Sequence, residues 1–329
     1  MGLFDDFNGR LSGQQESLEA KQEKKDLEMV KRNGLDLYYV QNQTPEICLA
    51  AVQREGLVLK YVKDQNPEIC MAAVQQDGWA LQYVEDQNPE ICMAAVKQYG
   101  NALQFVRKQT PEICWAAIQE YGKALQYVKE QTPEICLVAV QQNGEALQFV
   151  KGQTFDICLA AVRQNGYVLK YVKEQTPEIC MAAVQESGRA LQFVKEQTPG
   201  ICLAAVQQNG EALQYVREQT PEICMAAVQQ DGETLRFVDK QTLEICLAAI
   251  RQNWRDLEYA KEQTPEICMT AVQRNGWALQ WVREQTFEIC LAAVRRNSNA
   301  IKFIRDPEMQ KKVEESLKQE QQVFAMSVF

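Results

Sequence analysis

Cysteine recurs at every twenty-second residue, from Cys48 and Cys70 through to Cys268 and Cys290, and all 12 cysteines of the chain fall on that one series. So strict a spacing leaves few possible folds. Each repeat is a small module that cannot bury an apolar face alone, so modules must stack on their neighbours, and the end modules must differ in order to close the stack. A representative repeat reads Thr220-Pro221-Glu222-Ile223-Cys224-Met225-Ala226-Ala227-Val228-Gln229-Gln230-Asp231-Gly232, with a second apolar stretch ending near Gln241. Twelve such repeats cover residues 44–307. Residues 26–43 keep the register at Leu27, Val30, Asn33, Gly34, Leu37, Tyr39, Val40 and Gln43 without the cysteine, which marks a degenerate capping repeat.

Local signals divide each repeat in two. Thr44 or Thr132 is placed to accept a hydrogen bond from an orphan backbone donor, Pro45 or Pro133 fits a first helical turn, and Glu46 or Glu134 complements the positive helix end. Asn143-Gly144 or Asn209-Gly210, about ten residues on, is expected to close that helix through a residue at positive φ. A second, shorter helix is expected over residues such as 211–218, with Ala212, Leu213, Tyr215 and Val216 on one face. The first helix carries the run Ile201-Cys202-Leu203-Ala204-Ala205-Val206, apolar almost all round, and is expected to be sandwiched between neighbours. Periodic proline excludes one continuous helix, and alternating strand patterns are lacking. The fold class is therefore all-α, an α-solenoid of about twelve two-helix repeats with capping helices at both ends. Residues 1–25 form a polar N-terminal segment without the apolar core of a secretion signal. Residues 308–329 supply a C-terminal capping helix, with Met309, Val313 and Leu317 on one face, and an apolar tail that includes Val323, Phe324, Met326, Val328 and Phe329.

The unit Thr-Pro-Glu-Ile-Cys-x-x-Ala-Val-x-x-Asn-Gly-x-Ala-Leu-x-x-Val-x-x-Gln resembles an uncharacterised helical repeat family found in tandem in bacterial and large-virus proteins. That resemblance implies a helical array, no established activity and no catalytic residues to carry over. A local likeness to the DNA-reading repeats of TAL effectors also exists in Thr-Pro-Glu, Asn-Gly and the Ala-Leu helix. Here, however, the unit is 22 residues long and the phosphate-contacting Gly-Lys-Gln stretch is missing. The pair that would read a base is Tyr99-Gly100, Tyr121-Gly122, Ser187-Gly188 or Asn253-Trp254 as well as Asn-Gly.

Composition narrows the chemistry. With no histidine, the chain holds no Ser/His/Asp or Cys/His triad and no histidine-ligated metal, and it is expected to be no enzyme and to need no cofactor. A formal charge of −9 disfavours a general nucleic-acid or membrane surface. The cysteines lie inside apolar runs on equivalent helices roughly 8–10 Å apart, beyond disulfide reach. They read as buried free thiols, which places the chain in a reducing, cytoplasmic compartment.

Four rows remain as candidates for function. Glu46, Glu68, Glu90 and Glu112 onwards sit where a helix dipole explains them. A basic row, including Lys63, Arg107, Lys129, Lys151, Lys173, Lys195 and Arg217, has the spacing to track a phosphate backbone, but acidic residues such as Glu130, Glu174 and Glu196 follow it directly. A glutamine row at Gln65, Gln87 and Gln109 onwards is expected to bond turn backbone between repeats. The residue after the glycine varies freely, and Trp79, Tyr167 and Trp277 there are candidate anchors for a partner, whereas Trp115 is expected to pack inside. The expected function is a non-enzymatic scaffold binding a protein or peptide along an extended surface, with no membrane or small-molecule substrate. A nucleic-acid-binding array, using Lys151, Lys173 and Lys195, and a purely structural rod are the alternatives. The repeat over 242–263 replaces the pattern at Leu243, Trp254, Asp256 and Ala260 and is expected to loosen.

Overall fold

The computed structural model describes residues 18–327, with side chains described as far as Val323. Residues 1–17 of the polar N-terminal segment, and the tail side chains of Phe324, Met326, Val328 and Phe329, lie outside the described residues. No strand occurs among the described residues, and the architecture is an all-α solenoid. The chain forms two compact blocks, one ending at Gln164 and the other beginning at Asn165. Within each block the same two-element module packs on its sequence neighbour.

The module is a 10-residue α-helix, such as Pro177–Glu186, followed by a 6-residue 3₁₀-helix, such as Gly188–Phe193. The Thr176 hydroxyl accepts the Ile179 N–H at 3.3 Å, and Pro177 takes the first helical position, where its missing N–H costs nothing. Asn66 and Asn88 provide the same cap at 2.9 and 2.8 Å. The helix stops at Ser187, whose backbone turns extended (φ −144°, ψ 112°) while its N–H still bonds the Ala183 carbonyl.

The second element and its glycine both differ from the sequence expectation. The second helix, expected over 211–218, is the 3₁₀-helix Gly210–Tyr215, closed when the Val216 N–H bonds the Leu213 carbonyl three residues back. The 22-residue period leaves too little chain between the first helix and the next threonine cap for an α-helix to propagate, and the tighter i→i+3 turn suits such a short piece. Nor does any described glycine have positive φ. At Gly188 the requirement is space: an added Cβ would lie 2.4 Å from the Ala205 carbonyl oxygen of the next repeat. The 3₁₀-helix thus presses directly onto the backbone of the following α-helix.

The core takes Ile201, Cys202, Ala205 and Val206 from one α-helix, and Ala212, Leu213 and Val216 from the 3₁₀-helix and its end. Burial of each Ile or Leu contributes about 1.5–3 kcal/mol. The apolar run is not sandwiched all round, because Leu203 and Ala204 are only half-buried on the outer side of the helix, and Trp115 sits likewise. At the N-terminal end, a helix over 18–32 and the 3₁₀-helix Gly34–Tyr39 bury Val30, Leu37 and Val40. At the other end, helix Pro307–Ser327 packs on Phe287–Arg296, with Val313 fully buried and an Arg295–Glu320 ion pair between them. No described helix is long and apolar enough to cross a membrane.

Candidate partner-binding surface

The glutamine row forms a clamp between repeats. Gln197 donates its amide to the Tyr215 carbonyl at 2.8 Å and accepts the Arg217 N–H at 3.0 Å, while the Cys202 thiol lies 3.6 Å from the same amide oxygen. Gln43, Gln87 and Gln131 repeat the arrangement in the first block, and Gln175, Gln219 and Gln263 repeat it in the second. One side chain thereby satisfies both a donor and an acceptor of the following repeat where its 3₁₀-helix ends, backbone that would otherwise be left to water. The expected turn-bonding role is the one these glutamines occupy.

The basic row stays exposed but is bonded to the backbone of the preceding repeat. The Lys129 ammonium donates to the Arg107 carbonyl and Lys151 to the Lys129 carbonyl, each at 3.0 Å. Lys195 donates to the Lys173 carbonyl at 2.9 Å, and Arg217 to the Lys195 carbonyl at 2.8 Å. Each cation therefore caps carbonyls just past the preceding 3₁₀-helix, an exposed charge-assisted bond that competes with any phosphate for the same protons. The sequence offered no sign of this, because the accepting carbonyl lies in another repeat.

Trp79, Tyr167 and Trp277 are 36%, 37% and 37% exposed, and each leans on an aromatic ring of the next repeat. Trp79 lies 5.4 Å from Tyr99 and 5.2 Å from Phe105; Tyr167 lies 6.3 Å from Phe193, and Trp277 lies 5.6 Å from Phe303. The Lys302 ammonium adds a cation contact 4.5 Å from the Trp277 ring. Charged members of the variable row behave similarly, with Lys123 paired to Glu145 and Arg189 to Glu211 in successive repeats. The row missed by sequence reasoning is the aromatic that closes each 3₁₀-helix. Tyr83, Phe105, Tyr127 and Phe149 in the first block, and Phe193, Tyr215, Phe237 and Trp281 in the second, are all half-buried. Their fixed place one residue before the apolar Val that follows each of these 3₁₀-helices was the available signal.

Other chemistry is sparse. All 12 cysteines are buried and none forms a disulfide, and burial pushes thiols such as Cys202 up, to about 11 at Cys290. Such groups yield little thiolate. The Glu112 and Glu134 carboxyls are held below the usual range by their own backbone N–H and by the capping threonine hydroxyl, as a first helical turn provides. Among the described residues, no three His, Cys, Asp or Glu side chains are gathered so as to hold a metal ion.

A comparison with curated proteins and with solved structures returns no match. The family model described as a domain of unknown function, DUF4116, matches residues 44–88, 66–110, 88–132, 110–153, 132–176, 154–198, 198–243, 220–264 and 264–310. Each of these segments spans about two successive modules of the kind just described. Together they cover most of the chain, which belongs to this DUF4116 family of repeat proteins.

Proposed function

We propose that the chain is a non-enzymatic repeat scaffold that binds a protein or peptide partner along the outer face of its 3₁₀-helices. The observation that carries this reading is the aromatic row, one half-exposed ring per repeat, widened locally by Trp79, Tyr167 and Trp277. Rings of this kind offer large apolar area at low cost in side-chain entropy, and aromatics dominate the centres of protein interfaces. The basic row supports the nucleic-acid alternative less well, because Lys151 and Lys195 already donate to backbone carbonyls. Buried, protonated thiols suit a reducing compartment.

The test is to pan a displayed peptide library against the full chain and titrate the selected peptides beside single- and double-stranded oligonucleotides over a range of salt. Trp79→Ala, Tyr167→Ala or Trp277→Ala should weaken peptide binding by about 1–2 kcal/mol where that ring is a hot spot, with little salt dependence. Circular dichroism of each variant guards against loss of fold. If oligonucleotides bind instead, with a salt slope that falls by about 0.7–0.9 for each of Lys151→Ala, Lys173→Ala and Lys195→Ala, the nucleic-acid reading replaces this one.

A further inference from the structure

Where other repeats carry Ala190, Ala212 or Ala278 inside the 3₁₀-helix, the repeat over 242–263 carries Asp256. The side chain is 1% exposed, and its Oδ2 has no hydrogen-bond partner. That oxygen lies 2.3 Å from where a Cβ on Gly232 would be, so it fills the space under the preceding 3₁₀-helix. The junction is also wider than its counterparts. The Ala249 carbonyl lies 3.2 Å from the same point, against 2.2 Å for Gly276 with Ala293 and 2.8 Å for Gly210 with Ala227, the two ends of the range at the other repeats. A carboxyl is thus wedged between Gly232–Phe237 on one side and Leu243–Gln252 on the other.

We propose that Asp256 makes this junction a proton-controlled joint, closed while the neutral acid occupies the wedge and opened when the carboxylate forms and must reach water. A buried, unpartnered carboxylate is far costlier than the neutral acid. Its surroundings add to that cost: Asp231 and Glu233 on the preceding repeat both oppose ionisation, and the value is pushed up from 3.8 to about 7, chiefly by burial. Arg236, beside Glu233, is taken by the Glu211 and Glu233 carboxylates at 3.3 and 2.8 Å. The other charged groups on the packed elements are Glu244 and Arg251 on Leu243–Gln252 and Glu266 and Arg274 on Pro265–Arg274; Gly276–Trp281 carries none. On its own element, Arg255 lies over the Trp254 ring, Glu258 is exposed, and the Tyr259 hydroxyl reaches Glu233.

The sign follows from which state holds the proton. Between about pH 4 and pH 7 the closed junction keeps it while an opened, solvated Asp256 releases it, so opening rises with pH through that window and levels off above it. The increase is at most about tenfold per pH unit.

Hydrogen–deuterium exchange of the full chain at pH 5 and pH 8, corrected for intrinsic rates, tests this with peptides over 229–259 and a reference over 198–219. The opening of 229–259 relative to the reference should rise by more than about tenfold from pH 5 to pH 8. Asp256→Ala, which installs the residue of most other repeats, and Asp256→Asn, which keeps size without charge, should abolish the rise. An unchanged ratio in the unsubstituted chain, or a rise that persists in either variant, would overturn the joint.

Discussion

In the repeat over 198–219, Pro199 opens the helix, Gly210 lies close under the Ala227 carbonyl and Ala212 fills the 3₁₀ core. In the repeat over 242–263 the same positions hold Leu243, Trp254 and Asp256, yet the elements fall at equivalent boundaries, Leu243–Gln252 and Trp254–Tyr259. What the two repeats share is the threonine cap and the glutamine clamp. Thr198 accepts from the Ile201 N–H and Thr242 from the Ile245 N–H, each at 3.4 Å. Gln197 holds Tyr215 and Arg217, and Gln241 holds Tyr259 and Lys261. Cap and clamp therefore suffice for the module's outline, while proline and glycine set how firmly it starts and how closely it meets its neighbour.

If that division is right, the largest effect comes from the clamp. Gln197→Leu and Gln241→Leu each remove the partner of one backbone donor and one acceptor, and each should cost about 1–3 kcal/mol of local stability by urea titration with exchange readout. A cost below about 1 kcal/mol at Gln241 alone would break the equivalence of the two repeats.

The next effect is confined to the regular repeat. Gly210→Ala places a Cβ 2.8 Å from the Ala227 carbonyl oxygen and 2.9 Å from Thr234 Cγ2, and should cost about 1–3 kcal/mol in the same titration. A neutral result there would mean that glycine is not what brings these repeats together.

The smallest effect sharpens the contrast from the irregular side. Leu243 is exposed at the first helical position, and Thr242 before it is extended (φ −89°, ψ 160°), as a following proline requires. Leu243→Pro should therefore stabilise by about 0.4–1 kcal/mol, read as a higher urea midpoint. Destabilisation would show that this helix starts differently from that of Pro199.

The period, the threonine caps, the buried thiols and the bonding glutamines were all legible in the sequence, because each follows from the residue itself or from its strict recurrence. What escaped depends on a neighbour about one repeat away. Glycine at position 210 has one composition-level explanation, positive φ, and another, the Ala227 carbonyl, that exists only once repeats are stacked. Lys195 reads as a solvated charge until the Lys173 carbonyl is placed beside it. The 3₁₀ form of Gly210–Tyr215 was hidden because Glu211, Ala212, Leu213 and Gln214 are good α-helix formers, and the limit on length overrides their preference. On the candidate surface, the variable row was visible as variation, whereas Trp79 leaning on Phe105 was not.

The clamp has a consequence for synthesis. A glutamine in this array finds its carbonyl 18 residues later and its backbone N–H 20 residues later, as Gln197 does with Tyr215 and Arg217. A growing chain therefore completes each module's bonds as soon as one more module has left the ribosome, without waiting for its C-terminus. Low sequence separation of contacts favours rapid folding, and domains emerging N-terminus first fold in that order. Contacts of this reach therefore favour folding in the order of synthesis, each repeat closing on the next as it emerges.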